Sequence, residues 1–432
     1  MSIADLYEKF LQFPSVETDT RKVKKGDIFF ALKGPNFNGN LYIKQAFEAG
    51  ASYCVCDEKS DIENSNIIYT DNVLSTLQML AKYHREQFKN LPDGNVIPFI
   101  AITGSNGKTT TKELVHEVLS STYKCYTTKG NHNNHIGIPL TILSVKKDAE
   151  IVVIEMGANH LNEIESYCNY TKPTHGLITN CGKAHLEGFG GEEGVKKGKG
   201  ELYNYLAKTG GTVFINSDYD YLKEMSDGVK NKISYGSLNA TYTGVVKEDN
   251  HFLEISVTNG AAINSIQTQL AGNYNLPNVM SAVCIGKTFG VPDEAIKTAL
   301  ENYVPSNSRS QIIKKESNTI LLDAYNANPS SMKAAIENFA AMAGDKKIVI
   351  LGGMMELGED SIAEHNDVIT LLQKYEWHQA VVAGKDYQHL PENILHFNTS
   401  AEIADWFKEQ HFKNATILIK GSRGMAMEKV IQ

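Results

Sequence analysis

Short apolar runs alternate with amphipathic stretches along most of the 432 residues. The run Pro98–Thr103 predicts a strand, a Gly-rich turn follows, and a helix-like pattern extends from Thr110 to Ser121. Further apolar runs at Ile151–Glu155, Leu177–Asn180 and Val213–Asn216 predict strands, with helical segments between most of them. Strand–helix alternation of this kind predicts a mostly parallel sheet covered on both faces. The alternation restarts at Thr319–Leu322, Lys347–Leu351, Ala380–Ala383 and Thr416–Ile419, which reads as a second, smaller doubly wound domain. Near the N-terminus, Asp27–Leu32 predicts a strand, and Leu41–Ala51 and Leu74–Phe88 predict amphipathic helices. Turn formers at Lys89–Asn95 and around Pro305-Ser306-Asn307-Ser308 break the pattern. We therefore expect three α/β domains, at 1–94, 95–304 and 305–432.

Charge narrows the range of partners. The chain has 42 Lys+Arg against 50 Asp+Glu, a net charge of -8 with His neutral. Such a chain is a poor general binder of nucleic acid, so any anionic ligand must be met by local donors. No apolar run reaches the roughly 18–20 residues a membrane helix needs. Met1–Pro14 carries Asp5, Glu8 and Lys9 and has no apolar signal core. The six cysteines form no CxxC pair, which suits reduced cytosolic thiols and argues against a zinc ribbon. We expect a cytoplasmic monomer.

The strongest local signal is Thr103-Gly104-Ser105-Asn106-Gly107-Lys108-Thr109-Thr110, between a strand and a helix. Glycines let backbone N–H groups turn toward phosphate oxygens, and the helix N-terminus adds partial positive charge. Lys108 suits the outer phosphates and Thr109 suits Mg²⁺. The strict phosphate-loop pattern places Gly where Ile102 stands, so this is a variant loop. A Gly-rich turn is the alternative reading. Glu155 closes an apolar strand, where a carboxylate is costly unless paired or on a metal. From that strand alone, a salt-bridged structural Glu is the alternative reading. His185 follows another strand, and Lys196-Lys197-Gly198-Lys199 taken alone is a solvated basic helix start.

In this order, the loop, Glu155-Met156-Gly157-Ala158, Thr179-Asn180 through Ala184-His185-Leu186, and Lys199-Gly200-Glu201-Leu202 resemble the Mur ligases. Asp323-Ala324-Tyr325-Asn326-Ala327-Asn328-Pro329, Gly352–Gly358 and Lys420-Gly421-Ser422-Arg423-Gly424-Met425 resemble the branch that adds D-alanyl-D-alanine. The resemblance runs from about Asp19 to the C-terminus. It implies a small N-terminal α/β domain, a central P-loop-type ATPase domain with a mostly parallel sheet, and a Rossmann-like C-terminal domain. It also implies ATP and Mg²⁺ as cofactors. The substrates would be a UDP-N-acetylmuramoyl-tripeptide and D-alanyl-D-alanine, joined through an acyl phosphate.

The same resemblance carries roles to single residues. Thr103, Gly104, Ser105, Asn106, Gly107, Lys108, Thr109 and Thr110 would hold ATP phosphates, with Arg309 reaching back to them. Thr109, Glu155, His185 and a carbamylated Lys199 would surround the metal sites. Asn275 and Asn278 would lie on the adenine side and Asp323 at the ribose. Asn275 also reads as a helix N-cap. Tyr325, Asn326, Asn328, Lys420 and Arg423 would line the dipeptide site, and Asn328-Pro329 also has the form of a helix start. Asn131, Asn133 and Asn134 would face the muramoyl tripeptide. Asp19, Thr20, Arg21 and Lys33 would meet the uridine diphosphate, although Asn38-Gly39-Asn40 departs from the family's usual Asp-Gly-His. Rival readings are another carboxylate–amine ligase of this superfamily, including a folylpolyglutamate synthetase, and a non-catalytic ATP-binding switch.

Overall fold

The computed structural model describes residues 1–89, 96–248, 252–306 and 308–432. The linker expected at 89–95 lies outside these residues beyond Lys89, as does Asn307 at the second expected boundary.

Three larger sheets follow one another along the chain. The first has four parallel strands, in the order Val16–Glu17, Ile28–Phe30, Tyr53–Cys56 and Ile67–Tyr69. Among the described residues, the second has nine strands. Phe99–Thr103 lies between Ile151–Glu155 on one side and His175–Ile178 on the other, all parallel. Cys125–Thr127 completes one edge, and Thr212–Asn216 and Asn231–Gly236 extend the other way. The chain thus leaves Phe99–Thr103 toward one edge and later returns to its opposite flank. Ligands of open α/β sheets bind at the strand C-termini where connections diverge in this way, and the Gly-rich loop sits there.

The third sheet runs Gln311–Lys315, Asn318–Asp323, Thr416–Lys420, Lys347–Gly352, Gln379–Ala383, Ile394–Phe397. Its first pair is antiparallel and the rest are parallel. Asp323 and Lys420 end adjacent strands in register, so their side chains meet at one sheet edge.

Two expectations need correction. The strand predicted at Leu177–Asn180 is His175–Ile178, so Thr179 and Asn180 belong to the following loop. The central sheet also continues through Tyr242–Glu248, Glu254–Asn259 and Ile266–Gln267, the last two pairings antiparallel. These half-exposed, polar-rich strands lack the continuous apolar run that marked the buried parallel ones.

Helix packing explains how the loop is held. Lys108–Ser120 buries Thr111, Leu114, Val115, Val118 and Leu119, a stripe at helical spacing facing the sheet. Leu276–Thr288 packs beside it, and Gly286 permits the approach, since a Cβ there would lie 2.5 Å from Val118 Cγ1. The first domain is clamped to the second by Arg85. Its guanidinium stacks 3.7 Å from the Phe99 ring, and its Nε donates to Thr171 O at 3.0 Å.

Candidate active site

The loop after Phe99–Thr103 needs glycine at two places. Gly104 has φ +139°, and a Cβ there would meet Thr179 Oγ1 at 2.0 Å. Gly107 has φ +80°, and a Cβ there would meet Asn278 Oδ1 at 2.6 Å. Only glycine suits both the backbone and the space. Lys108 Nζ curls over the loop, donating to Gly104 O at 2.7 Å and Ser105 O at 2.9 Å. Burial, more than Glu155 can offset, brings its ammonium down to about 8.

Glu155 is 1% exposed. Its Oε1 accepts from Thr109 Oγ1 at 3.1 Å and from Asn133 Nδ2 at 2.7 Å, and its Oε2 is buried with no partner. A lone buried carboxylate oxygen is costly, and a cation would relieve it. The loop carrying Asn133 is itself anchored. Lys112, wholly buried, donates to Thr128 O at 2.8 Å, and Thr128 Oγ1 accepts from Glu155 N at 3.0 Å. Among the described residues, no three His, Cys, Asp or Glu side chains form a metal cluster. Glu155 with the Thr109 hydroxyl beside it suits Mg²⁺, which is held by one or two carboxylates together with water and substrate phosphates.

Lys199 is no solvated helix start. It lies within the helix Glu192–Thr209, 1% exposed, and donates to Ala158 O at 2.8 Å. Burial, reinforced by Lys108, brings its amine down to about 7. Among the described residues, no carboxylate forms a hydrogen bond or salt bridge with it. His185 adopts φ +53°, and its Nδ1 lies against the Glu356 carboxylate of the third domain.

A cavity of about 620 Å³ joins the second and third domains. Its walls include Ser105–Thr110, Asn131, Asn133, Glu155, His185, Asn275, Asn278, Arg309, Asp323, Tyr325, Asn326, Asn328 and Lys420. The Arg309 guanidinium stacks 3.5 Å from the Tyr325 ring, and its Nε is buried without a partner. Lys420, 2% exposed, donates to Asp323 Oδ2 at 2.6 Å. Asn278 donates to Asn275 Oδ1 at 2.8 Å, and Asn275 in turn donates to Ala271 O. Asn275 therefore occupies the N-cap position without capping through its side chain. Asn328 does cap its helix, by accepting from Ser331 N at 2.9 Å, and also donates to Asn106 Oδ1 at 2.7 Å.

Several expected residues lie outside the cavity wall. Thr103 is buried, donating to Met156 O at 2.7 Å. Gly104 shapes the loop from behind, Lys199 sits behind the wall, and Arg423 is exposed with its guanidinium 5.0 Å from the Tyr325 ring. Asn134 turns away, accepting from Ile136 N and Gly137 N at the start of a helix. In the first domain, Arg21 donates to Asp19 through two nitrogens at 2.8 and 2.7 Å, and Lys33 donates to Glu58 at 2.6 Å. Asp19, Thr20, Arg21 and Lys33 are thus apart from the cavity. Conversely, Tyr219 and Tyr221 line it, stacked with centroids 5.5 Å apart, and the Tyr221 hydroxyl accepts from Cys181 N. Their place just after the strand Thr212–Asn216 was the signal that could have found them.

Strand-end loop, buried acid and interdomain cavity together define an α/β nucleotide-dependent enzyme. Family models agree. The Mur ligase family catalytic domain matches residues 13–92, the Mur ligase middle domain 102–286, and the glutamate ligase domain 308–423. The UDP-N-acetylmuramoyl-tripeptide–D-alanyl-D-alanine ligase of Bacillus subtilis is 32% identical, over 96% of this chain and 92% of its own length. The Escherichia coli enzyme of that name is also 32% identical, over 97% and 93%. A crystal structure of MurF from Acinetobacter baumannii superposes with TM-score 0.87 at 28% identity, covering 96% of this chain and 92% of that one. The MurF ligase of Thermotoga maritima, in complex with ADP, gives 0.85 at 25% identity, covering 98% and 97%. The chain belongs to the Mur ligase family. Within it, the likeness is to the MurF type.

Proposed function

We propose that this chain joins D-alanyl-D-alanine to a UDP-N-acetylmuramoyl-tripeptide, using ATP and releasing ADP and phosphate. The observation that carries the reading is the single cavity in which the Gly-rich loop, the lone Glu155 oxygen and the Asn328 helix cap face one another. Relatives that carry this activity by name align over nearly the whole chain.

The reaction runs in two steps. A carboxylate oxygen of the tripeptide's last residue attacks the γ-phosphorus of ATP and ADP leaves, giving an acyl phosphate. The dipeptide amine then attacks the acyl carbon. The tetrahedral intermediate expels phosphate, the nitrogen loses its proton, and an amide remains. Phosphoryl transfer asks mainly for positioning and charge neutralisation. The loop N–H groups and Lys108 position the phosphates. Arg309, with its unpartnered Nε, approaches from the third domain. Glu155 and Thr109 are the residues that fit Mg²⁺, which supplies further charge neutralisation when bound. Lys199 is placed for carbamylation: it is buried, without a directly paired carboxylate among the described residues, and its pKa is lowered. The carbamate turns a cation into an anion on the His185 side of the site.

Asn278 and Asn275 lie on the adenine side and Asp323 at the ribose. Tyr325, Asn326 and Asn328 meet the dipeptide, with Lys420 and Arg423 near its carboxylate. Asn131 and Asn133 face the tripeptide, and Asp19, Thr20, Arg21 and Lys33 serve its uridine diphosphate end across the first domain. We place the protein in the cytoplasm as a monomer. Phosphate release with ATP, Mg²⁺, the UDP-tripeptide and either D-alanyl-D-alanine or single amino acids tests the reading. Turnover confined to the dipeptide supports it; turnover with a single amino acid replaces the specificity; silence with every amine favours an ATP-binding switch.

A further inference from the structure

The segment Met354–Asp360 of the third domain docks on the His185 loop of the second. Glu356 Oε2 lies against His185 Nδ1, a close contact without hydrogen-bond alignment. Beside it, Lys183 donates from Nζ to Glu364 at 2.6 Å and from its backbone N–H to Ser330 Oγ at 2.9 Å. A Cβ on Gly358 would lie 3.4 Å from Glu187 Cβ.

Both members of the His185–Glu356 pair have left-handed backbones, φ +53° and φ +63°. That conformation is unfavourable for long side chains and persists where the surroundings impose it, commonly at functional sites. A half-exposed polar contact of this kind contributes little to stability by itself; Glu356 is 52% exposed and His185 20%. A weakly stabilising contact that crosses the domain boundary is poorly explained by folding alone. A carboxylate facing Nδ1 favours the proton on that nitrogen, which leaves the lone pair on Nε2. His185 lines the cavity.

We propose that Glu356 is a positioning residue, which fixes the ring orientation and tautomer of His185 from across the domain boundary. This rests on the ligase reading for its catalytic consequence, but not for its structural content. Because Glu356 belongs to the third domain, His185 is correctly presented only while that domain is docked.

Two readouts test it. In metal-free protein, ¹⁵N NMR of the histidine rings, assigned with His185→Gln, is expected to show His185 protonated on Nδ1. In Glu356→Ala that signature should shift toward a tautomer mixture. In the ligase assay, Glu356→Ala is expected to lower kcat at least tenfold with KM for ATP changed less than threefold. Glu356→Gln should recover part of the loss, since its amide oxygen can accept from Nδ1–H. Glu364→Ala removes the neighbouring ion pair and is expected to change kcat less than threefold. Glu356→Gly, which relieves the left-handed backbone, should not lower Tm yet should lose kcat like Glu356→Ala. An unchanged His185 spectrum in Glu356→Ala overturns the proposal, as does equal loss of kcat in Glu356→Ala and Glu364→Ala. A wild-type protein inactive with every amine would overturn the ligase reading instead, leaving the NMR comparison to decide this one.

Discussion

Asn328 donates to Asn106 Oδ1 at 2.7 Å, and Asn106 returns a longer contact at 3.4 Å, across 222 positions of sequence. One residue caps a helix of the third domain and the other precedes Gly107 and Lys108 in the second. A reciprocal amide pair at this place ties the proposed dipeptide side to the phosphate loop.

Substituting either asparagine should therefore affect amine use. Asn106→Ala and Asn328→Ala are each expected to lower kcat/KM for the dipeptide about tenfold, a loss of about 1.4 kcal/mol. The double variant should lose less than the product, with a coupling of about 1 kcal/mol, inside the range found for contacting residues. Asn328→Ala should also lower Tm, because losing an N-cap costs about 1 kcal/mol. Steady-state kinetics and thermal denaturation of the four proteins check both statements.

Glu155→Gln separates function from folding. The substitution keeps the shape but removes a buried charge, one of whose oxygens is unpartnered. Phosphate release is expected to fall at least a hundredfold, in line with the loss of a group that stabilises transition-state charge (about 10²–10³). Tm of the ligand-free protein should hold or rise. A lower Tm with retained turnover would make Glu155 a structural residue.

Gly107→Ala should abolish ATP binding while leaving the sheets intact. The new Cβ strains a φ of +80° and strikes Asn278 Oδ1. Isothermal titration with an ATP analogue reads this directly, and wild-type affinity in the variant would contradict the loop geometry.

Lys199 predicts a pH dependence of stability. A lysine in the unfolded chain keeps a pKa of about 10.4, whereas burial and Lys108 bring the folded one to about 7. Between those values the unfolded state binds more protons, so stability rises with pH across the window. The penalty is complete below about pH 7 and vanishes above about pH 10. Lys199→Met fills similar volume and cannot titrate. Urea midpoints of wild type relative to this variant should climb between pH 7 and pH 9.5, in metal-free, CO₂-free buffer. A constant difference would mean that the folded amine keeps its ordinary pKa.

Much of this site was legible from sequence because its parts are local. Gly104 to Thr109 follow a strand and open a helix within a few residues, Glu155 closes an apolar strand, and His185 follows another. Four parallel strands of the third domain were also visible, as apolar runs, whereas the parallel edge strand Ile394–Phe397 was not. What escaped depends on distant partners. Glu356 was visible only inside a motif, since its meaning lies in His185, on another domain. Lys112 reads as an ordinary helix lysine until Thr128 O is seen beside it. Lys199 reads as solvated until the packing of its helix buries it. The strands from Tyr242 to Gln267 were hidden because partly exposed antiparallel strands carry no long apolar run.

The central claim is an acyl phosphate formed on the tripeptide and consumed by the dipeptide. The most direct measurement labels the tripeptide's terminal carboxylate with ¹⁸O and determines the isotope content of the released phosphate by mass spectrometry. The account predicts one ¹⁸O atom per phosphate, with release dependent on D-alanyl-D-alanine. Unlabelled phosphate would contradict it.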